Sequence, residues 1–370
     1  MKKLILLLFI PLVFSCGEDK KKPEAYIVIQ VSTDDSTKVD EVIQIIKKRV
    51  YSLLKTTPKI TYTDDYGRVI LKISKNTVQD FWVGKDDFRS SQMNAEKSEN
   101  FSPSEIKRIK GLIETKGQLE FWNTFKGEEF LSFIIQANEI IKSKTSSEKI
   151  NQIELNEIEL LLGSENDDIA IDSNPILDLI KGQDYPGGAV VAMFDSKDIN
   201  IISEYLSDPD VRSLLPPSHR YVKFLWGIPQ MSEEGEELVK LYALKGNREK
   251  TPQLSGSVIT DARQSYGVDG ISPTVIMQMN NKGAKIWGEM TDNAFKQESQ
   301  IAIVLDDIVY SAPLVIGPIS DGSCQIFGAF NLNEAIDIAN VLRAGNLPAS
   351  VEIVQDIWDE QPILDRFIQF

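Results

Sequence analysis

The order in which apolar periodicity changes over residues 25–125 limits the fold of this chain more than any other feature. "AYIVIQV" (residues 25–31) is a β-rich run. Val39, Val42, Ile43, Ile46, Val50, Leu53 and Leu54 then recur at helical spacing behind Ser36 and Thr37, either of which can cap a helix. "KITYT" and "RVILKI" are strand-like runs joined through "DDYG", a good hairpin turn. The spacing predicts a second helix over 103–115 and a strand at "GQLEFWNTF".

That β-α-β-β-α-β order is the split βαβ of a ferredoxin-like, α+β unit, with the polar loop "GKDDFRSSQMNAEKSENFSP" between its halves. From Lys126 to about Asp184 the composition shifts to Ile, Leu and Glu at helical spacing, as in "EKINQIELNEIELLLG", which reads as two or three inserted helices. A strand at 188–194, a helix at 197–206 and a strand at "LYAL" follow. Further on, "PTVIMQM" is a strand, and Asn280 or Asn281 caps a helix carrying Ala284, Trp287 and Met290. "IAIVL" and "IVYSA" flank Asp306 and Asp307, a two-residue hairpin loop. After "CQIFGAF", Asn331 or Asn333 caps a helix that stops at Gly345, where a left-handed cap belongs, with Pro348 just beyond. "ASVEIV" returns as a strand.

The first residues read as a lipoprotein signal peptide. Lys2 and Lys3 precede an apolar stretch over 4–14, too short for the roughly 20 residues that span a bilayer. "LVFSCG" resembles a lipobox, which makes Cys16 the expected lipid attachment site and membrane anchor. A protein with two or three acyl chains is held stably. The other cysteine, Cys324, then has no partner for a disulfide. The formal net charge of −15 argues against nucleic acid as a partner, because a phosphate-binding surface needs clustered Lys and Arg.

"ITDARQSYG", "NNKGAKIWGEMT", "IAIVLDDIVYSAP" and "NLNEAIDIANVLRAGNLPASVEI" closely resemble the first periplasmic domain of the SecD/SecDF protein-export family, and "IIKKRVYSLL" and "IETKGQLEFWNTF" agree with it in order. The resemblance implies a ferredoxin-like base carrying an inserted head that swings, holding or pulling a polypeptide emerging from the Sec channel. Its implied partners are unfolded secreted polypeptide or Sec translocase components, in the bacterial envelope facing the periplasm. The expected division is a signal peptide at 1–15, a tether at 16–24, and a base at 25–125 completed by 348–356. A family-variable, partly helical insertion at 126–235, a head at 236–347 and a tail at 357–370 complete it. Candidate hinges are Gly246 and Pro252 in "KGNREKTPQ", and Gly345 and Pro348 in "RAGNLP". Where the family continues into membrane helices with proton-coupling carboxylates, this chain has "DIWDEQPILDRFIQF", so no proton coupling of its own is expected. The alternative is an envelope scaffold that keeps the fold without a role in export.

No enzyme, cofactor or metal site is expected. The one histidine, His219 in "PPSHRY", lacks partners at metal-binding or triad spacing and reads as a loop residue. With 55 acids, adjacent pairs such as Glu157/Glu159 and Asp306/Asp307 read as solvated faces or turns. Nothing electropositive beside Cys324 activates it. Trp122, Trp226, Trp287 and Trp358 fit either a core or a peptide groove. Trp358, Leu364, Phe367 and Phe370 are too apolar to leave in water. They either pack on the base or the inserted helices or form a docking tail.

Overall fold

The structure is a computed structural model that describes residues 24–63, 67–75, 100–160, 174–328 and 330–358, the side chains of 147–160 excepted. It begins with β1 (Glu24–Val31), α1 (Ser36–Leu54), β2 (Lys59–Tyr62), β3 (Arg68–Ser74) and α2 (Pro103–Glu114). Asp35, rather than Ser36 or Thr37, caps α1: its carboxylate accepts from the Thr37 N–H at 3.0 Å. Below the cap, Val39, Val42, Ile43, Ile46 and Val50 are buried, as their spacing predicts. α2 opens with a capping box between Ser102 and Glu105 and with Pro103 in its first turn, where a missing N–H costs nothing.

These elements form a four-stranded antiparallel sheet in the order β16-β1-β3-β2, whose remaining strand is β16 (Val351–Trp358). Its register on β1 runs from Ala25 opposite Trp358 to Val31 opposite Val351, with a bulge at Val28/Ile29. β1 lies between two partners and is buried along most of its length, with Ala25, Ile27, Ile29 and Val31 in one core with Leu71, Ile73 and Ile109. The strand expected to complete this unit from "GQLEFWNTF" lies elsewhere. β4 (Leu119–Asn123) joins a second sheet, and its first four residues are all buried. A run covered on both faces suits the interior of a larger sheet, and local pattern cannot say which one.

The second sheet has nine strands. Its order is β10 (Leu254–Ser255), β4, β13 (Ile301–Leu305), β14 (Ile308–Ser311), β7 (Lys223–Gly227), β9 (Glu237–Leu244), β6 (Val190–Asp195) and β5 (Ile180–Gly182), with β8 (Gln230–Met231) on β9. β14 and β7 are parallel, and its other pairs are antiparallel. α3 (Leu131–Leu160), α4 (Ile199–Ser207) and α5 (Pro209–Ser213) supply the helices beside it. Phe130, Phe133, Phe194, Ile202 and Val239 build that core. Of the span 126–184, where two or three helices were expected, the described residues hold short 3-10 turns at 127–130 and 177–179 and one long helix, α3, with no breaker between Leu131 and Leu160; residues 161–173 lie outside the described residues.

The third sheet, β11 (Ile259–Tyr266), β12 (Pro273–Met279) and β15 (Ser323–Ile326), packs with α6 (Asn281–Lys296) and α7 (Leu332–Ala344). Its core joins Met277, Trp287, Met290, Cys324 and Leu342 to Leu119 and Phe121 of β4. Asn280 caps α6, and Asn331 caps α7 in a box with Glu334. Asp306 and Asp307 both have positive φ, 52° and 62°, as a two-residue turn matched to strand twist requires. The described residues are therefore α+β, with three sheets among them.

Candidate functional site

The chain leaves the four-stranded unit through residues 115–118, between α2 and β4, and returns through residues 345–350, between α7 and β16. The two crossovers touch: the Leu347 N–H donates to the Lys116 carbonyl at 2.8 Å.

Arg49, fully buried on α1, ties them together. Its Nη1 donates to the Leu112 carbonyl at 3.1 Å and to the Thr115 carbonyl, while Nη2 donates to Lys116 at 3.2 Å and Gly345 at 2.8 Å. A planar guanidinium can meet several oxygens in fixed directions, which an ammonium on a flexible stem cannot do as well. Its Nε has no partner. Burial pushes the guanidinium down to about 10, offset in part by the nearby Asp306 carboxylate. The charge is thus retained at neutral pH and solvated by main-chain dipoles instead of water.

Asp306, in the β13–β14 turn, holds the outgoing crossover from the other side. Its carboxylate accepts from the Gly117 N–H at 3.0 Å and the Gln118 N–H at 2.7 Å, and its own N–H donates to the Gln118 carbonyl at 3.1 Å. Gly117 has φ +76°, and a Cβ there would lie 2.7 Å from Arg49 Nη2 and 2.8 Å from Val341 Cγ1. Gly345 sits at φ 94° and ψ 170°, so the expected left-handed cap is instead an extended conformation that only glycine adopts readily.

α7 connects this joint to both neighbours. On one side Arg108 of α2 grips Asp337 with two bonds, Nε to Oδ2 at 2.7 Å and Nη2 to Oδ1 at 2.8 Å, and reaches Asn333 Oδ1 at 3.1 Å. On the other, Arg343 Nε donates to the Ala262 carbonyl of β11 at 3.0 Å. Helices and sheets thus meet at two short segments whose main-chain groups are held by one cation and one carboxylate.

Of the residues expected as hinges, Gly345 and Pro348 lie in the return crossover. Gly246 and Pro252 lie between β9 and β10, two strands of the same sheet, in a loop tied by Thr251 N–H to Asn247 Oδ1 at 3.0 Å and Gln253 Nε2 to the Lys245 carbonyl at 2.8 Å. Trp358 ends β16, with its ring edge-on to Phe101 at 5.2 Å and its Nε1 bonded to the Asp356 carboxylate. Cys16, Leu364, Phe367 and Phe370 lie outside the described residues.

His219 stacks on Phe125 at 4.5 Å and bridges Ser218 Oγ, 2.8 Å from Nδ1, to Glu129 Oε2, 3.2 Å from Nε2. Sequence spacing gave no hint of Glu129. Among the described residues no group of three or more His, Cys, Asp or Glu converges to hold a metal ion, and no helix is long and apolar enough to cross a membrane. Sequence reasoning also missed Arg49 and Asp306. The signal for Arg49 was available: it stands in the apolar stripe, one turn after Ile46 and two after Val42.

Residues 238–349 match the family model described as SecDF, P1 head subdomain. The protein translocase subunit SecD of Rhodothermus marinus is 37% identical over 185 residues, 50% of this chain and 28% of that protein. Its counterpart in Dictyoglomus turgidum is 34% identical over 126 residues, 34% of this chain and 31% of that one. The subunit SecDF of Brucella abortus is 39% identical over 107 residues, 29% and 14%. The chain spans less than a third of the length of these relatives. Among solved structures, SecDF in a super-membrane-facing form aligns with 91% of this chain and 30% of its own, at 17% identity and a TM-score of 0.48. A second SecDF structure aligns with 89% of this chain and 98% of its own, at 18% identity and a TM-score of 0.44.

Proposed function

We propose that this chain, which carries a SecD-family periplasmic region, is an accessory of protein export. In this reading the four-stranded unit is a ferredoxin-like base whose fourth strand is β16. The inserted part, entered and left through residues 115–118 and 345–350, binds exported polypeptide or a translocase component and pivots at those crossovers. A lipid on Cys16 anchors the protein to a membrane of the bacterial envelope, facing the periplasm. The observation that carries the reading is the Arg49 clamp: one side chain of the base holds the main chain of both crossovers. The relatives named translocase subunits SecD and SecDF supply the biological setting.

The test is photo-crosslinking in cells from Val268 and Ile271, both exposed in the β11–β12 turn. Secretory chains in transit or Sec components are the expected products. A product set with neither would overturn the export reading, and a single stable envelope protein in their place would favour a scaffold. Palmitate labelling that survives Cys16→Ser would overturn the lipid assignment. Bridging Arg108→Cys to Asp337→Cys with a short bismaleimide is expected to slow maturation of secreted precursors, and unchanged maturation would remove the pivot from the mechanism.

A further inference from the structure

A cleft of ≈ 570 Å³ opens between β7, β9 and the short helices α4 and α5, a size typical of small-ligand sites. Phe224 and Trp226, both partly exposed, form its apolar wall over the buried Trp122, Leu206 and Leu241, and Arg212, Arg220, Lys223 and Lys250 supply its charge. No Asp or Glu lines it, although the chain has 55 acids and a net charge of −15. Chance placement on so acidic a protein would put carboxylates there. The cations are also not equivalent. Lys223 is neutralised by Asp307 at 2.7 Å and Glu120 at 3.6 Å, and its ammonium stands 5.3 Å from the centre of the Trp122 ring.

Arg212, Arg220 and Lys250 form no ion pair among the described residues. The Arg212 guanidinium stands over Phe224 at 5.7 Å and donates only to the carbonyls of Val222, at 3.0 Å, and Arg220, at 3.5 Å. Burial lowers its pKa, and no acid offsets that shift. The Trp226 ring is fixed by its Nε1 bond to Ser203 Oγ at 2.8 Å. The cleft therefore pairs an apolar surface of ordered rings with a half-buried cation and two exposed ones whose charge the protein leaves uncompensated.

We infer that this cleft binds a short acidic peptide segment carrying a large apolar side chain, which lies against Phe224 and Trp226 while flanking carboxylates meet Arg212, Arg220 and Lys250. The inference rests on the polypeptide-binding reading above and names its recognition chemistry. A basic segment is rejected, because it would bring like charge to the rim.

The test is calorimetric titration of the full chain with acetylated, amidated Asp-Glu-Phe-Asp-Leu and with Lys-Lys-Phe-Lys-Leu. Expected results are binding of the acidic peptide alone, weakened by salt, and about tenfold weaker in Arg220→Glu/Lys250→Glu. Lys285→Glu, exposed on α6, should bind like the parent protein. Arg220→Gln/Lys250→Gln repeats the measurement without introducing charge, should reversal disturb folding. Equal binding of both peptides, no binding of the acidic one, or unchanged affinity in both double variants would overturn the inference. Peptide binding in a protein that crosslinks to no exported chain would sink the export reading and leave the cleft. Crosslinks to secretory chains with affinity intact in both double variants would do the reverse.

Discussion

Arg49 Nη2 donates to the carbonyl of Gly345 at 2.8 Å, across 296 positions of the chain. A helix near the start of the described residues thereby holds the segment that brings the chain back for its last described strand. Arg49→Met keeps the apolar stem and removes every donor, leaving part-buried carbonyls at both crossovers without their partner. The expected loss is about 3 kcal/mol, read as a lower urea midpoint with unchanged slope. Arg49→Lys should recover part of it. Exchange of the Leu347 amide should quicken in both variants, and an unchanged midpoint would show that the clamp does not hold the joint.

The two crossover glycines separate steric from conformational cost. Gly117→Ala meets Arg49 and Val341 as well as a positive φ, whereas a Cβ on Gly345 meets open space and only the backbone penalty remains. Thermal unfolding should register roughly 1–3 kcal/mol for Gly345→Ala and about 1–3 kcal/mol more for Gly117→Ala. Equal losses would contradict the packing described.

The Arg108–Asp337 pair is bidentate, and its side chains are 23% and 20% exposed. It is more sheltered than a surface pair and still wet. A double-mutant cycle with Arg108→Ala and Asp337→Ala is expected to give a coupling of about 1 kcal/mol. A coupling of zero would mean that α7 rests on α2 by other contacts.

Asp356 links pH to the four-stranded sheet. Burial alone would raise its carboxyl, but hydrogen bonds from Lys110 and Trp358 outweigh that and hold it below its ordinary 3.8. With the folded value lower than the unfolded one, this contribution is full above about pH 4 and is lost as pH falls through the folded value. Asp356→Asn should lower stability at pH 7 and flatten the acid limb of the stability profile. A parallel displacement of the whole profile would refute the linkage.

Burial pushes the Cys324 thiol up to about 12. In a Cys16→Ser protein, Ellman's reagent should therefore find no reactive thiol under native conditions and one in denaturant. Rapid native reaction would place Cys324 at the surface instead of in the core with Met277 and Trp287.

Periodicity and caps made most single elements readable. The buried stripe of α1, the Asn280 and Asn331 caps and the Asp306–Asp307 turn all follow from local chemistry. The two hairpins, β2 with β3 and β13 with β14, followed as well, but which strands distant in sequence become neighbours did not. β4 has a clear strand pattern yet sits in the nine-stranded sheet, because partner choice depends on surfaces distant in sequence. The joint was half legible. Gly345 and Pro348 announce a break in any sequence, whereas Arg49 and Asp306 act only once segments far along the chain arrive beside them. The cationic cleft was hidden for the same reason: Arg212, Lys223 and Lys250 are spread over a helix, a strand and a loop and read singly as surface charges.

The pairing of β1 with β16 also sets an order of assembly. As the chain emerges from its N-terminus, β1 can join β3 early, but its other edge keeps unpaired N–H and C=O groups until residues 351–358 arrive. Everything from β4 to α7 has by then been synthesised and can close its own cores. The first described strand is therefore among the last to be sealed, and until then its open edge is available for pairing with the wrong chain.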